Sequence, residues 1–154
     1  MKILPTTCGI LVALVFGGMA AGQDKNKNKE PAIKQEQKRL IGVWKLVSCE
    51  GEGKKVPGEI LKGETVRWTI TATTIGWTVG KDDEGKDKYA LDPTTNPKAI
   101  DLTDNDGHRA PGIYSLCGDN LKVCIDEGSD ERPKVFATKP DSRLSVWVFK
   151  RASR

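Results

Sequence analysis

The chain contains a single histidine, His108, in 154 residues, which excludes every His-rich metal site. Aromatic residues are scarce at 6%, so any aromatic cluster must be built from four Trp, two Tyr and three Phe. Gly and Pro number 16 and 8 and show no period, which rules out collagen-like and wholly disordered chains. The only long apolar run lies at the extreme N-terminus, so the chain is not a multi-span helical membrane protein. Its length fits one domain rather than two.

The N-terminal run is bounded in a recognisable way. Met1-Lys2 is a short positive start, and Ile10 to Phe16 forms the centre of an apolar stretch. The small residues Gly17 to Gly22 follow, with Ala20 and Gly22 spaced for cleavage before Gln23. Together these parts predict a secretory signal peptide over 1–22. A retained anchor is the competing reading, but the run is short against a span of ~20 residues. The mature protein is therefore expected to be exported, periplasmic or extracellular, with no stable membrane span after cleavage.

Residues 23–39 hold six basic and three acidic residues, whereas residues 40–154 hold 18 of each sign. The folded part is thus neutral, and no nucleic-acid partner is expected, because such partners normally select a basic domain surface. Residues 23–37 are poor in apolar groups and are expected to be a flexible charged tether. Within it, Ala32 to Leu40 has the alternative of one or two helical turns, with Ile33, Gln37 and Leu40 near one face.

From Ile41 onward the pattern has period two, the sign of half-buried antiparallel strands. Val66, Trp68 and Ile70 alternate with Thr65, Arg67, Thr69 and Thr71; Ile75, Trp77 and Val79 do the same in the next segment. Further strands are predicted at 42–50, 88–91, 99–103, 112–117, 120–125, 134–137 and 144–149. Gly118-Asp119 reads as a hairpin turn that sets Leu116 against Leu121 and Tyr114 against Val123. The only helical hint after the tether is Pro57 to Lys62. Eight or nine short strands at this spacing predict an all-β barrel or sandwich over residues 38–154.

Gly42-x-Trp44 at the head of the first strand resembles the lipocalin signature. The ordered set of segments is closer still to a lipocalin-like domain family of unknown function in planctomycete bacteria. That set comprises Gly42 to Ser48, Leu91-Asp92-Pro93-Thr94-Thr95-Asn96-Pro97-Lys98-Ala99-Ile100-Asp101-Leu102, the Gly112 to Cys124 hairpin, and Arg132-Pro133 through Lys150-Arg151. The resemblance implies a small antiparallel up-and-down barrel of about 8–9 strands. In lipocalins a Trp closes one barrel end beneath a basic residue that follows the last strand. The resemblance thus implies closure by Trp44 with Lys150 or Arg151. Read onto such a barrel, the alternation makes Trp44, Leu46, Trp68, Ile70, Trp77, Tyr89, Tyr114, Leu116, Val123 and Val148 the candidate interior, ligand-lining residues. No Arg-x-Tyr pair occurs on the late strands, so the carboxylate clamp of fatty-acid-binding barrels is missing.

Catalytic signals are thin. His108 sits in a polar turn with no nucleophile partner recognisable in the sequence. Asp104-Asn105-Asp106-Gly107 resembles part of a calcium loop, yet Leu102 and Ile113 stand where an EF-hand needs acids. It reads as a tight turn, as does Asp82-Asp83-Glu84 beside Gly85. No metal, cofactor or enzymatic activity is expected. Removing Cys8 with the signal leaves Cys49, Cys117 and Cys124, an odd number. In the hairpin register Cys117 and Cys124 lie roughly 13 Å apart, at ~3.4 Å per residue, too far to bridge. A bridge from Cys49 would need the first strand beside that hairpin, so free thiols are expected. The functional expectation is an exported binding module for a small, largely apolar ligand. The alternative is a structural or interaction domain of the cell envelope with a solid core and no ligand.

Overall fold

The structure, a computed structural model, describes residues 29–56 and 65–153. The expected signal peptide, Cys8 and the helical hint at Pro57 to Lys62 lie outside them. One helix, α1 (Lys29–Leu40), precedes nine strands: β1 (Gly42–Gly51), β2 (Lys54–Lys55), β3 (Val66–Ile70), β4 (Thr74–Val79), β5 (Asp82–Asp92), β6 (Lys98–Thr103), β7 (Arg109–Cys117), β8 (Asn120–Asp126) and β9 (Leu144–Ser153). Consecutive strands pair antiparallel from β3 to β9, and β1 closes the ring by pairing with both β3 and β9. The result is an eight-stranded barrel, extended by β2 against the far end of β1. No helix among the described residues is long and apolar enough to cross a membrane.

Period-two burial fixes which side of each strand faces in. Trp44, Trp68, Ile70, Ile75, Tyr89, Leu91, Ile100, Leu102, Tyr114, Leu121, Val123, Ile125 and Phe149 form one interior core. The β7–β8 hairpin turns at Gly118-Asp119 with Leu116 opposite Leu121 and Tyr114 opposite Val123, as the sequence predicts. Residues 82–84, expected in a turn, instead open β5 opposite Val79 and Thr78. The turn is the Gly80-Lys81 pair before them.

Residues 134–137, expected as a strand, lie in the long connection between β8 and β9. Their apolar character serves a different contact. Phe136 packs on the outer face of the wall against Ile113, Cys124, Val146 and Leu144, with Lys122 Nζ 5.1 Å from its ring centroid. The same connection is pinned by Arg132, which donates to the carbonyls of Ile100 (3.0 Å) and Gly112 (2.6 Å) and pairs with Asp101. Thr138 donates to Glu50 at 2.7 Å.

The tether expectation fails for residues 29–37, which are helical and docked. Glu30 in the first turn and Lys38 and Arg39 in the last complement the helix dipole, and Lys34 pairs with Glu30 one turn away. The docked face is anchored by charge rather than by apolar area. Glu36 is buried, pairing with Lys98 (2.6 Å) and Arg39 (2.9 Å), while Lys29 reaches Asp92 at 2.6 Å. Gln37 donates to the Ala72 carbonyl, and Leu40 enters the core. A hydrophobicity count misses such a contact, since Leu40 is its sole buried aliphatic anchor.

Candidate functional site

The two barrel ends differ. At one, α1 stops against the start of β1, and side chains from distant strands cap its exposed carbonyls. Gly42, at φ 139°, takes a backbone conformation that side chains disfavour and turns the chain from helix into strand. Trp44 is fully buried and donates from Nε1 to the Leu40 carbonyl at 2.8 Å. Arg151 stacks 4.0 Å from the Trp44 ring centroid and donates to the carbonyls of Ile41 and Arg39 and to Asp119. The Gly-x-Trp pattern thus has a local mechanical account: one residue makes the bend and the other plugs and caps. Arg151 performs the closure. Lys150 does not, because it is one position out of phase and points to solvent on β9.

The interior of the other half is incompletely filled. A cavity of about 400 Å³ is bounded by Leu46, Cys49, Val66, Trp68, Ile75, Trp77, Asp87, Leu102, Glu127, Trp147 and Phe149. Its floor is an aromatic stack: Trp68 lies 4.4 Å from Phe149 and meets Trp147 edge-on at 5.1 Å. Trp77 forms part of the wall, and its ring lies 3.0 Å from where a Cβ on Gly85 would stand, so the glycine leaves room for the indole.

The structure distributes the expected interior residues over both halves. Leu46, Trp68 and Trp77 line the cavity. Trp44, Ile70, Tyr89, Tyr114 and Val123 are buried in the core, with Leu116 half-buried against it, but none of them lines the cavity. Val148 is not interior. It faces outward opposite Lys122, whereas Trp147 and Phe149 on the alternate phase face in. Both phases of β9 are apolar because its outer face is also covered, so alternation alone could not choose between them.

Among the cavity residues the pattern missed are Cys49, Asp87, Glu127, Trp147 and Phe149. Cys49 faces in because β1 carries a register shift between Leu46 and Ser48, which leaves exposed Val47 bulged out of the ladder. Asp87 continues the inward row Leu91, Tyr89 by one step, and Glu127 likewise continues Leu121, Val123, Ile125. That continuation was the readable signal. Burial first, then the charges of Asp104 and Glu127, push the Asp87 carboxyl above its ordinary range. Burial likewise raises the Cys49 thiol.

Beside the mouth, Asp104, Asp106 and His108 bring ligand-type atoms within 4.8 Å of one another. Their contacts are those of a turn. Asp104 accepts from the amides of Asp106 and His108, and its second oxygen lies 3.0 Å from His108 Nδ1. Cys49, Cys117 and Cys124 are unbridged. Comparison with models of known protein families, with curated proteins and with solved structures finds no match.

Proposed function

We propose that the chain is an exported, lipocalin-like module that binds a small, largely apolar ligand in the cavity at the open end of its barrel. The observation that carries this reading is the cavity itself: about 400 Å³, walled by three Trp, Phe149 and aliphatic side chains. That volume lies within the range of small-molecule sites, ~300–1,000 Å³. At ~30 Å³ per water-sized group it holds roughly a dozen non-hydrogen atoms. Closure of the opposite end by Trp44, Arg151 and α1 supports the lipocalin resemblance and, among the described residues, leaves the cavity end as the way in. A solid-core interaction domain, by contrast, has no need of such a void.

The test is a fluorescence titration. Trp68, Trp77 and Trp147 all border the cavity, so octan-1-ol is expected to change the emission saturably. Trp68→Ala, which removes the floor, should weaken or abolish that response. No saturable change with octan-1-ol or with a chemically broad set of ligands of similar size would overturn the reading. Export is tested separately by sequencing the N-terminus of the protein recovered outside the cytoplasm, expected to begin at Gln23.

A further inference from the structure

We propose that the cavity selects amphiphiles with a cationic head, an alkyl- or arylammonium group, over neutral and anionic ones of the same apolar length. This inference rests on the cavity being a ligand site and names the chemistry it takes. The cavity and its indole walls make the site; the charges at its mouth decide which end groups suit it.

Three inward rows run toward the open end, and each brings an acid there. On β5 the row is Leu91, Tyr89, Asp87; on β6 and just beyond it is Ile100, Leu102, Asp104; on β8 and beyond it is Leu121, Val123, Ile125, Glu127. Asp87 and Glu127 reach the cavity lining, where they are the only charged side chains among the described residues. Neither forms an ion pair among the described residues. The nearby cations among the described residues are already engaged or stand apart. Arg109 is held by Asp101 at 2.8 Å, and His108 by Asp104 at 3.0 Å. Arg143 packs its stem on Gly128 and shares only a shallow neighbouring depression with Glu127.

The half-buried Asp87 carboxylate at the edge of the apolar cavity is poorly hydrated and unpaired among the described residues, while Glu127 beside it is exposed. Burial first, then repulsion from Asp104 and Glu127, already disfavours the ionised form of Asp87. An ammonium group at the mouth relieves both penalties. The adjoining indoles add attraction through their ring faces, the usual device for recognising ammonium ligands. A carboxylate head at the same place meets two like charges, and a hydroxyl head meets neither gain nor penalty.

Three probes with one octyl chain separate these effects: n-octylammonium, octan-1-ol and octanoate, titrated at pH 7 by tryptophan fluorescence and calorimetry. Wild type should bind octylammonium at least fivefold more tightly than octanoate, with octan-1-ol between them. In the Asp87→Asn/Glu127→Gln double variant the ratio of octylammonium to octanoate affinity should fall to less than half its wild-type value, with far-UV circular dichroism checking that the variant is folded. Octan-1-ol binding also reports that the variant is folded. A wild-type preference below fivefold, or one that survives the double substitution, overturns the cationic-head inference and leaves the apolar-ligand reading standing. Failure of all three probes to bind overturns both.

Discussion

Replacing Arg151 with Met keeps the bulk of the side-chain stem and removes the guanidinium that closes the barrel end. Only 8% of the Arg151 side chain is exposed, so its contacts are largely unscreened. Two donations to carbonyls are lost, toward Arg39 in the last turn of α1 and Ile41 just beyond it. Each charge-assisted bond is worth at least ~1.5 kcal/mol when its acceptor is left without a partner. The stack at 4.0 Å on Trp44 contributes ~0.5–2 kcal/mol. The contact with Asp119 adds little, because that carboxylate is 60% exposed and such pairs give ~0–1 kcal/mol. These contributions share one group and do not simply add. A net loss of about 3–4 kcal/mol is expected, or roughly 10–15 °C in Tm for a barrel of this size. Urea unfolding followed by circular dichroism measures it, with an unchanged slope showing that only stability moved. Lys150→Met, one position away and exposed, is the control and should stay within ~0.5 kcal/mol of wild type. A loss below ~1 kcal/mol for Arg151→Met would refute the view that this guanidinium seals the end.

Deleting the chain through Leu40, compared with deleting it through residue 28, should cost ~2–4 kcal/mol. The loss combines a buried Leu with the unpaired Lys98 and the Trp44 Nε1 left without its acceptor; equal melting temperatures would mean that α1 does not dock. Asp87→Asn should stabilise the protein at neutral pH. Its carboxyl is raised above 3.8 by burial and by Asp104 and Glu127, so the ionised form is disfavoured in the folded state. The gain is therefore full above the folded-state pKa and vanishes below about 3.8, the unfolded value; a gain independent of pH would contradict the assignment. Thiol labelling should find Cys117 fast and Cys124 inert until unfolding, in line with their exposed and buried positions. Cys49 should label slowly, and more slowly still with octan-1-ol present, because it lines the cavity; labelling indifferent to octan-1-ol would place the ligand elsewhere.

How much of this could be read from the sequence depended on whether one strand face differed from the other. In β3 the contrast between Val66-Trp68-Ile70 and Arg67-Thr69 is clear, and the barrel follows from repeating it. The Gly-x-Trp motif pointed to the sealed end, and the residue two steps beyond Phe149 proved to be its cover. Pattern reading failed where a second surface competes for the same strand. β9 is apolar on both sides since Phe136 lies against its outer face, and Val148 was accordingly placed inside. It failed again at Val47, where one bulged residue moves Cys49 to the interior without any change in composition. The helix itself stands as the alternative reading of Ala32 to Leu40, but its docking is not legible, because ion pairs to Lys98 and Asp92 hold it, and partners 62 and 63 residues away leave no periodic trace. The cavity acids were readable but unread: stepping each inward row one position further reaches Asp87 and Glu127.

Ring closure also governs the order in which this protein can become itself. β1 is laid down first, yet one of its edges stays open until β9 arrives to pair from Val43 to Gly51. The cap on α1 waits as long, because its donor Arg151 is separated from Arg39 by 112 residues. Contacts so remote in sequence form late and slow the search for the native state. Until then α1, β1 and the intervening meander present an apolar trough with an unpaired strand edge, the form most open to misassociation. A nascent chain is thus kept unlocked by its own topology, and the final strand turns the key.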